Sequence, residues 1–157
     1  MQWSKLKTLV ESRFHPSVRD KVQLYTTAYP NCACGRGWIT YNKEQIANFE
    51  TIVHLHLRNS HDVNTHGHLA IDNDERVAGQ SIARGEMSRQ SLHEACWDLL
   101  QLSIDEALES SNPIIQALAF LDSRVGKARL TKFSTDGLHP LPAKLLEIRQ
   151  QEQLQRT

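Results

Sequence analysis

A chain of 157 residues (17.9 kDa) with 39% hydrophobic and 23% charged residues can bury ~70% of its unfolded surface in a single core without disulfide or metal staples. Its 18 basic and 18 acidic side chains cancel, which excludes a globally basic nucleic-acid coat protein and an acidic, tail-like partner. The same balance of apolar and charged residues excludes a disordered chain.

The start, Met1-Gln2-Trp3-Ser4-Lys5-Leu6-Lys7, lacks a signal-type apolar run, and no stretch reaches the ~20 apolar residues of a membrane span. Three cysteines, Cys32, Cys34 and Cys96, form an odd and sparse set that reads as reduced thiols. A cytoplasmic protein with no membrane contact is the expectation.

Trp3, Leu6, Val10 and Phe14 fall at helical spacing, which predicts an amphipathic helix over 2–14, stopped by Pro16. Val22 to Tyr29 alternates apolar and polar residues as a strand does. Asn31 to Gly37 reads as loop, and Gly35-Arg36-Gly37 is too short to be an anion loop. Trp38–Tyr41 and Glu44–Phe49 flank Asn42-Lys43 as a tight hairpin, with Asn suited to positive φ and Lys less usual there.

Between Thr51 and Arg58, Val53, Leu55 and Leu57 alternate with His54, His56 and Arg58, which favours a strand. Ile46, Phe49, Val53 and Leu57 also fit a helical stripe, so both periods stay open. Residues 59–68 read as a polar, His-rich loop, and 69–84 as helix ending at Gly85. Ser88 is an N-cap, Ser103-Ile104-Asp105-Glu106 a capping box, and Asn112-Pro113 a cap with proline at the first helical position. A last helix carries Leu145, Leu146 and Ile148 and frays from Gln150.

Charge is uneven along these elements. Residues 1–68 hold 8 basic and 5 acidic side chains, 69–110 hold 3 and 9, and 111–157 hold 7 and 4. Neutrality is thus the sum of +3, −6 and +3. The acidic block suits a basic partner or a solvated face.

Two constellations could carry chemistry. Five of the 8 histidines, His54, His56, His61, His66 and His68, lie close together. His54 with His56 and His66 with His68 would each offer two imidazoles to one Zn²⁺ if their backbone is extended, because i and i+2 share a strand face. On a helix those positions stand about 200° apart and the pair fails. Arg124, Lys127, Arg129 and Lys132 cluster after the helix begun at Asn112, opposed by Asp122. They suit that helix's C-terminal dipole, with Gly126 as a cap, or a phosphate or acidic-partner contact. No GxSxG, P-loop, GxGxxG or HExxH motif is present, and no catalytic or cofactor-binding residue is assigned.

The block Leu102-Ser103-Ile104-Asp105-Glu106-Ala107-Leu108, Asn112-Pro113-Ile114-Ile115 and Arg124-Val125-Gly126-Lys127 resembles a family of small uncharacterised bacterial proteins. Trp3-Ser4-Lys5-Leu6-Lys7, Trp38-Ile39-Thr40, Ile46-Ala47-Asn48-Phe49 and His139-Pro140-Leu141 extend the likeness over about two thirds of the chain. Asn42-Lys43 replaces the family's Asp-Gly turn, and 50–84 departs from its aromatic and acidic middle. The resemblance implies a bacterial, cytosolic α+β protein and carries over no catalytic residue.

The expectation is one α+β domain over 1–157: an N-terminal helix and small antiparallel sheet of about three strands (1–58), a His-rich loop (59–68) and a mainly helical remainder (69–157). The expected function is non-catalytic interaction or regulation with a protein partner. Metal binding or metal-dependent catalysis through His54, His56, His66 and His68, with Zn²⁺ as the ion, is one alternative. Nucleic-acid contact through Arg124, Lys127, Arg129 and Lys132 is the other.

Overall fold

The computed structural model describes residues 1–30, 34–58 and 76–155. The N-terminal stripe forms helix α1 (Trp3–Ser12), burying Leu6 and Val10, with Phe14 buried just beyond it. Strands β1 (Val22–Ala28), β2 (Gly35–Tyr41) and β3 (Glu44–Glu50) follow as an antiparallel meander in the order β1-β2-β3. Asn42 and Lys43 have φ of 50° and 70°, so both central residues of the β2–β3 turn are left-handed, which matches the twist of the paired strands. The segment read as loop up to Gly37 is strand from Gly35 onward.

Val22, Leu24, Ile39, Ala47 and Phe49 bury one face of the sheet in the core. Gly35 and Gly37 lie on that face and let the following helical layer approach. A Cβ on Gly37 would stand 2.8 Å from Leu92 Cδ2, and one on Gly35 would stand 2.7 Å from Arg89 Cδ. Both sheet edges are covered. On β1 the Leu24 N–H donates to Glu11 Oε2 (3.1 Å) and the Leu24 carbonyl accepts from Lys7 Nζ (2.6 Å), so an α1 ion pair replaces a fourth strand. On β3 the Ile46 carbonyl accepts from the Ser81 N–H (2.6 Å).

After Glu50 the chain turns into helix α2 (Thr51–Leu57), which settles the open period in favour of the helix. Val53 and Leu57, one turn apart, close over Gly85, where a Cβ would meet Leu57 Cδ1 at 2.6 Å and Val53 Cγ1 at 2.7 Å. Residues 76–87 are turns and bends, which corrects the helix expected over 69–84 as far as it is seen, since 69–75 lie outside the described residues. Gly79 (φ 82°) and Gly85 (φ 74°) place left-handed residues inside that stretch, and Glu86 Oε2 accepts from the Ala83 N–H (2.9 Å).

Helices α3 (Arg89–Gln101), α4 (Ile104–Leu108), α5 (Pro113–Leu121), α6 (Lys127–Leu130) and α7 (Pro140–Leu154) complete the described chain. Their starts are where the caps place them. Ser88 and Ser91 exchange hydrogen bonds, Ser103 and Glu106 form the reciprocal box, and the Asn112 side chain accepts from Ile114 and Ile115 N–H groups ahead of Pro113. α5 is buried along nearly its whole length and packs against α7, α3 and α4. It closes at Asp122, so Gly126, with φ −81°, caps the start of α6 and not the end of α5. α7 runs on to Leu154 where fraying was expected, because Arg149 and Glu152 are anchored in the interior. One continuous apolar cluster joins α1, the sheet and α3–α7. The architecture is α+β: a helix, a three-stranded antiparallel sheet, then short helices.

Candidate functional site

Strand alternation sends Gln23, Tyr25 and Thr27 of β1, Arg36, Trp38 and Thr40 of β2, and Gln45, Asn48 and Glu50 of β3 to the face away from the core. The register sets Tyr25 opposite Trp38 and Trp38 opposite Asn48, while Arg36 stands between Thr27 and Glu50. The Tyr25 and Trp38 rings stack with centroids 5.2 Å apart and planes 14° off parallel. Lys7 Nζ lies 4.7 Å from the Tyr25 centroid, and Arg36 Cζ 4.3 Å from the Trp38 centroid. Lys7 reaches in from beyond the β1 edge and Arg36 sits toward β3, so the two rings are held between two cations. The result is a column, Lys7–Tyr25–Trp38–Arg36, laid across the sheet.

The two cations differ in their other partners. Lys7 is neutralised by Glu11 at 2.6 Å. Arg36 donates from Nε to Asn48 Oδ1 (2.6 Å) and from Nη2 to Gln45 Oε1, both neutral amide oxygens. Glu50, its partner in register, accepts instead from the Tyr29 hydroxyl. Burial and that bond to Glu50 push the Tyr29 pKa above the ordinary phenol value. Among the described residues no carboxylate comes within ion-pair distance of Arg36.

The basic cluster behaves otherwise. Arg124 chelates the buried Asp122 through Nε (3.0 Å) and Nη2 (2.9 Å), and this carboxylate raises its pKa. Arg129 pairs with Asp105. Lys127 and Lys132 are exposed, and Lys127 borders a mainly apolar cleft of about 210 Å³ with Leu130, Thr131, Gln150, Gln153 and Leu154. The expected balance at the C-terminus of α5 comes from another residue. Arg149 of α7, 0% exposed, donates from Nη1 to the carbonyls of Phe120 (2.9 Å) and Asp122 (3.0 Å) and from Nη2 to that of Val125. Burial lowers its pKa to about 10, against the pull of Asp122, so it stays charged at neutral pH.

His54 and His56 lie on α2, where i and i+2 diverge, so the pairing that needed a strand is lost. His54 Nδ1 is held by the Gly85 carbonyl at 2.9 Å. His61, His66 and His68 lie outside the described residues, and among those described no group of three His, Cys, Asp or Glu side chains is placed to hold a metal. Cys34 is disulfide-bonded and Cys96 is a free, buried thiol, which corrects the expectation of three reduced thiols. An odd count of three allows one bridge and one spare thiol.

Sequence patterning missed the column because its members come from α1, β1 and β2 and meet only through register. The available signal was a tyrosine, a tryptophan and an arginine on the polar-phase positions of two strands in a meander.

The SF0329 protein family matches residues 2–150, a longer span than the motifs alone suggest. No curated protein and no solved structure matches the chain.

Proposed function

The chain belongs to the SF0329 protein family, and from that premise we propose that it is a non-catalytic interaction protein of the bacterial cytosol whose contact surface is the outer face of the sheet. The observation that carries this reading is the Tyr25–Trp38–Arg36 stack, a half-buried aromatic pair ending in an arginine with no carboxylate partner among the described residues. Tryptophan, tyrosine and arginine are the residues on which protein–protein contacts most often concentrate their binding energy. The bacterial and cytosolic parts of the reading rest on the likeness of sequence, and the Cys34 bridge stands against a reducing compartment. Thiols of native cells quenched in acid and alkylated after denaturation should include Cys34, and a Cys34 that stays protected would contradict that location.

A photo-crosslinking residue placed in the native host at Thr27, exposed beside Arg36, should trap a protein partner. The same group at Lys132, exposed beyond α6, should trap none. Crosslinks only at position 132, or at neither, would refute the outer face as the contact surface.

A further inference from the structure

We propose that Arg36 is a preformed clasp for a carboxylate, and that the partner presents an acidic protein segment to it. The inference rests on the outer sheet face being the contact surface and adds the chemistry recognised there.

The guanidinium is fixed in three ways. Its Cζ lies over the Trp38 ring, 4.3 Å from the centroid, and its Nε and Nη2 donate to Asn48 and Gln45. Nε and Nη2 share one edge of the fork, the edge by which Arg124 grips Asp122. With Nε and Nη2 donating to amides, Nη1 has no hydrogen-bond partner among the described residues, and the Nη1/Nη2 edge is the one that would take a carboxylate in bidentate fashion. The amides orient the cation without neutralising it. Stacking on Trp38 replaces part of its hydration, which lowers the cost of covering it with a partner.

Lys7, Lys21, Arg124 and Arg129 already pair with Glu11, Glu152, Asp122 and Asp105. A single fixed guanidinium on this face suits a discrete acidic side chain better than a run of phosphates, whose binding needs several cations in line. The column also denies a nucleobase its usual platform, because Lys7, Tyr25, Trp38 and Arg36 cover each other's ring faces. An acidic protein segment meets both conditions.

The test is an NMR titration of the whole chain with a blocked hexaglutamate peptide, following the Trp38 indole N–H and the Arg36 Nε–H. Hexalysine and a single-stranded thymidylate dodecamer serve as comparisons. The proposal expects saturable shifts centred on these two groups with hexaglutamate alone. Affinity should fall roughly tenfold or more in Arg36→Gln and by a smaller factor in Arg36→Lys, which keeps the charge but loses the fork. Should Arg36→Gln fail to fold, Arg36→Lys carries the comparison. No hexaglutamate binding, shifts centred elsewhere, or unchanged affinity in the folded variant overturns the clasp. Tighter binding of the thymidylate strand at the same groups overturns the acidic-protein assignment. A partner trapped at Thr27 but held equally well by Arg36→Gln leaves the contact face standing and removes the clasp, whereas absence of any crosslink removes the face itself.

Discussion

Arg149 on α7 is fully buried and donates to the carbonyls of Phe120, Asp122 and Val125, closing the end of α5. Arg36 on β2 is half-buried, held by two amide oxygens and a tryptophan ring, with no hydrogen bond from Nη1 among the described residues. The same side chain joins two helices in one place and faces outward in the other. The difference teaches that the acceptors, and not the charge, separate an arginine that holds a fold from one kept for a partner. Backbone carbonyls at a helix end belong to the fold, and removing their donor strands them. Side-chain amides only orient the cation and can turn to water when it is gone.

Arg149→Ala should give the largest effect, a loss of at least ~3 kcal/mol in urea unfolding, because it leaves several buried carbonyls without donors. A loss below ~1 kcal/mol would break the buried side of the comparison.

Cys96 sharpens that side through pH. Burial first, and the nearby Glu11 second, push its thiol from 9.0 up to about 12. A raised acid pKa means stability is fully present below the unfolded value and is lost as pH rises from there toward the folded value. Between pH 8 and pH 10 unfolding should become easier by about 1.4 kcal/mol from this group. Cys96→Ala should flatten that slope, and an unchanged slope would assign it elsewhere.

Thr40 lies on the Arg36 face, and its hydroxyl is the buried side-chain oxygen without a partner among the described residues. Replacing it by the similarly shaped valine should leave stability within ~1 kcal/mol of wild type or raise it, measured by thermal melting. A larger loss would mean that the hydroxyl has a partner of its own.

Local chemistry was legible in the sequence. Ser88, Ser103 with Glu106, and Asn112-Pro113 start helices because each cap acts on N–H groups two or three residues away. Asn42-Lys43 turns the hairpin for an equally local reason. Segments 51–57 and 76–87 were not legible, because their backbone is decided by the contact of Val53 and Leu57 with Gly85, about thirty residues away in sequence. Arg149 stands just before the fraying expected from Gln150, and nothing local marks it as an anchor, since arginine is rarely buried and only the position of α5 gives it acceptors. The His54–His56 pair changed meaning with a single backbone assignment. In the outer-face column Tyr25, Trp38 and Arg36 were all in view, but strand register alone makes them neighbours.

The most direct measurement pairs urea unfolding with hexaglutamate titration in Arg36→Gln. The prediction is stability within ~1 kcal/mol of wild type together with a roughly tenfold or greater loss of affinity. A stability loss as large as that of Arg149→Ala, with affinity unchanged, would show that Arg36 serves the fold and would contradict the account.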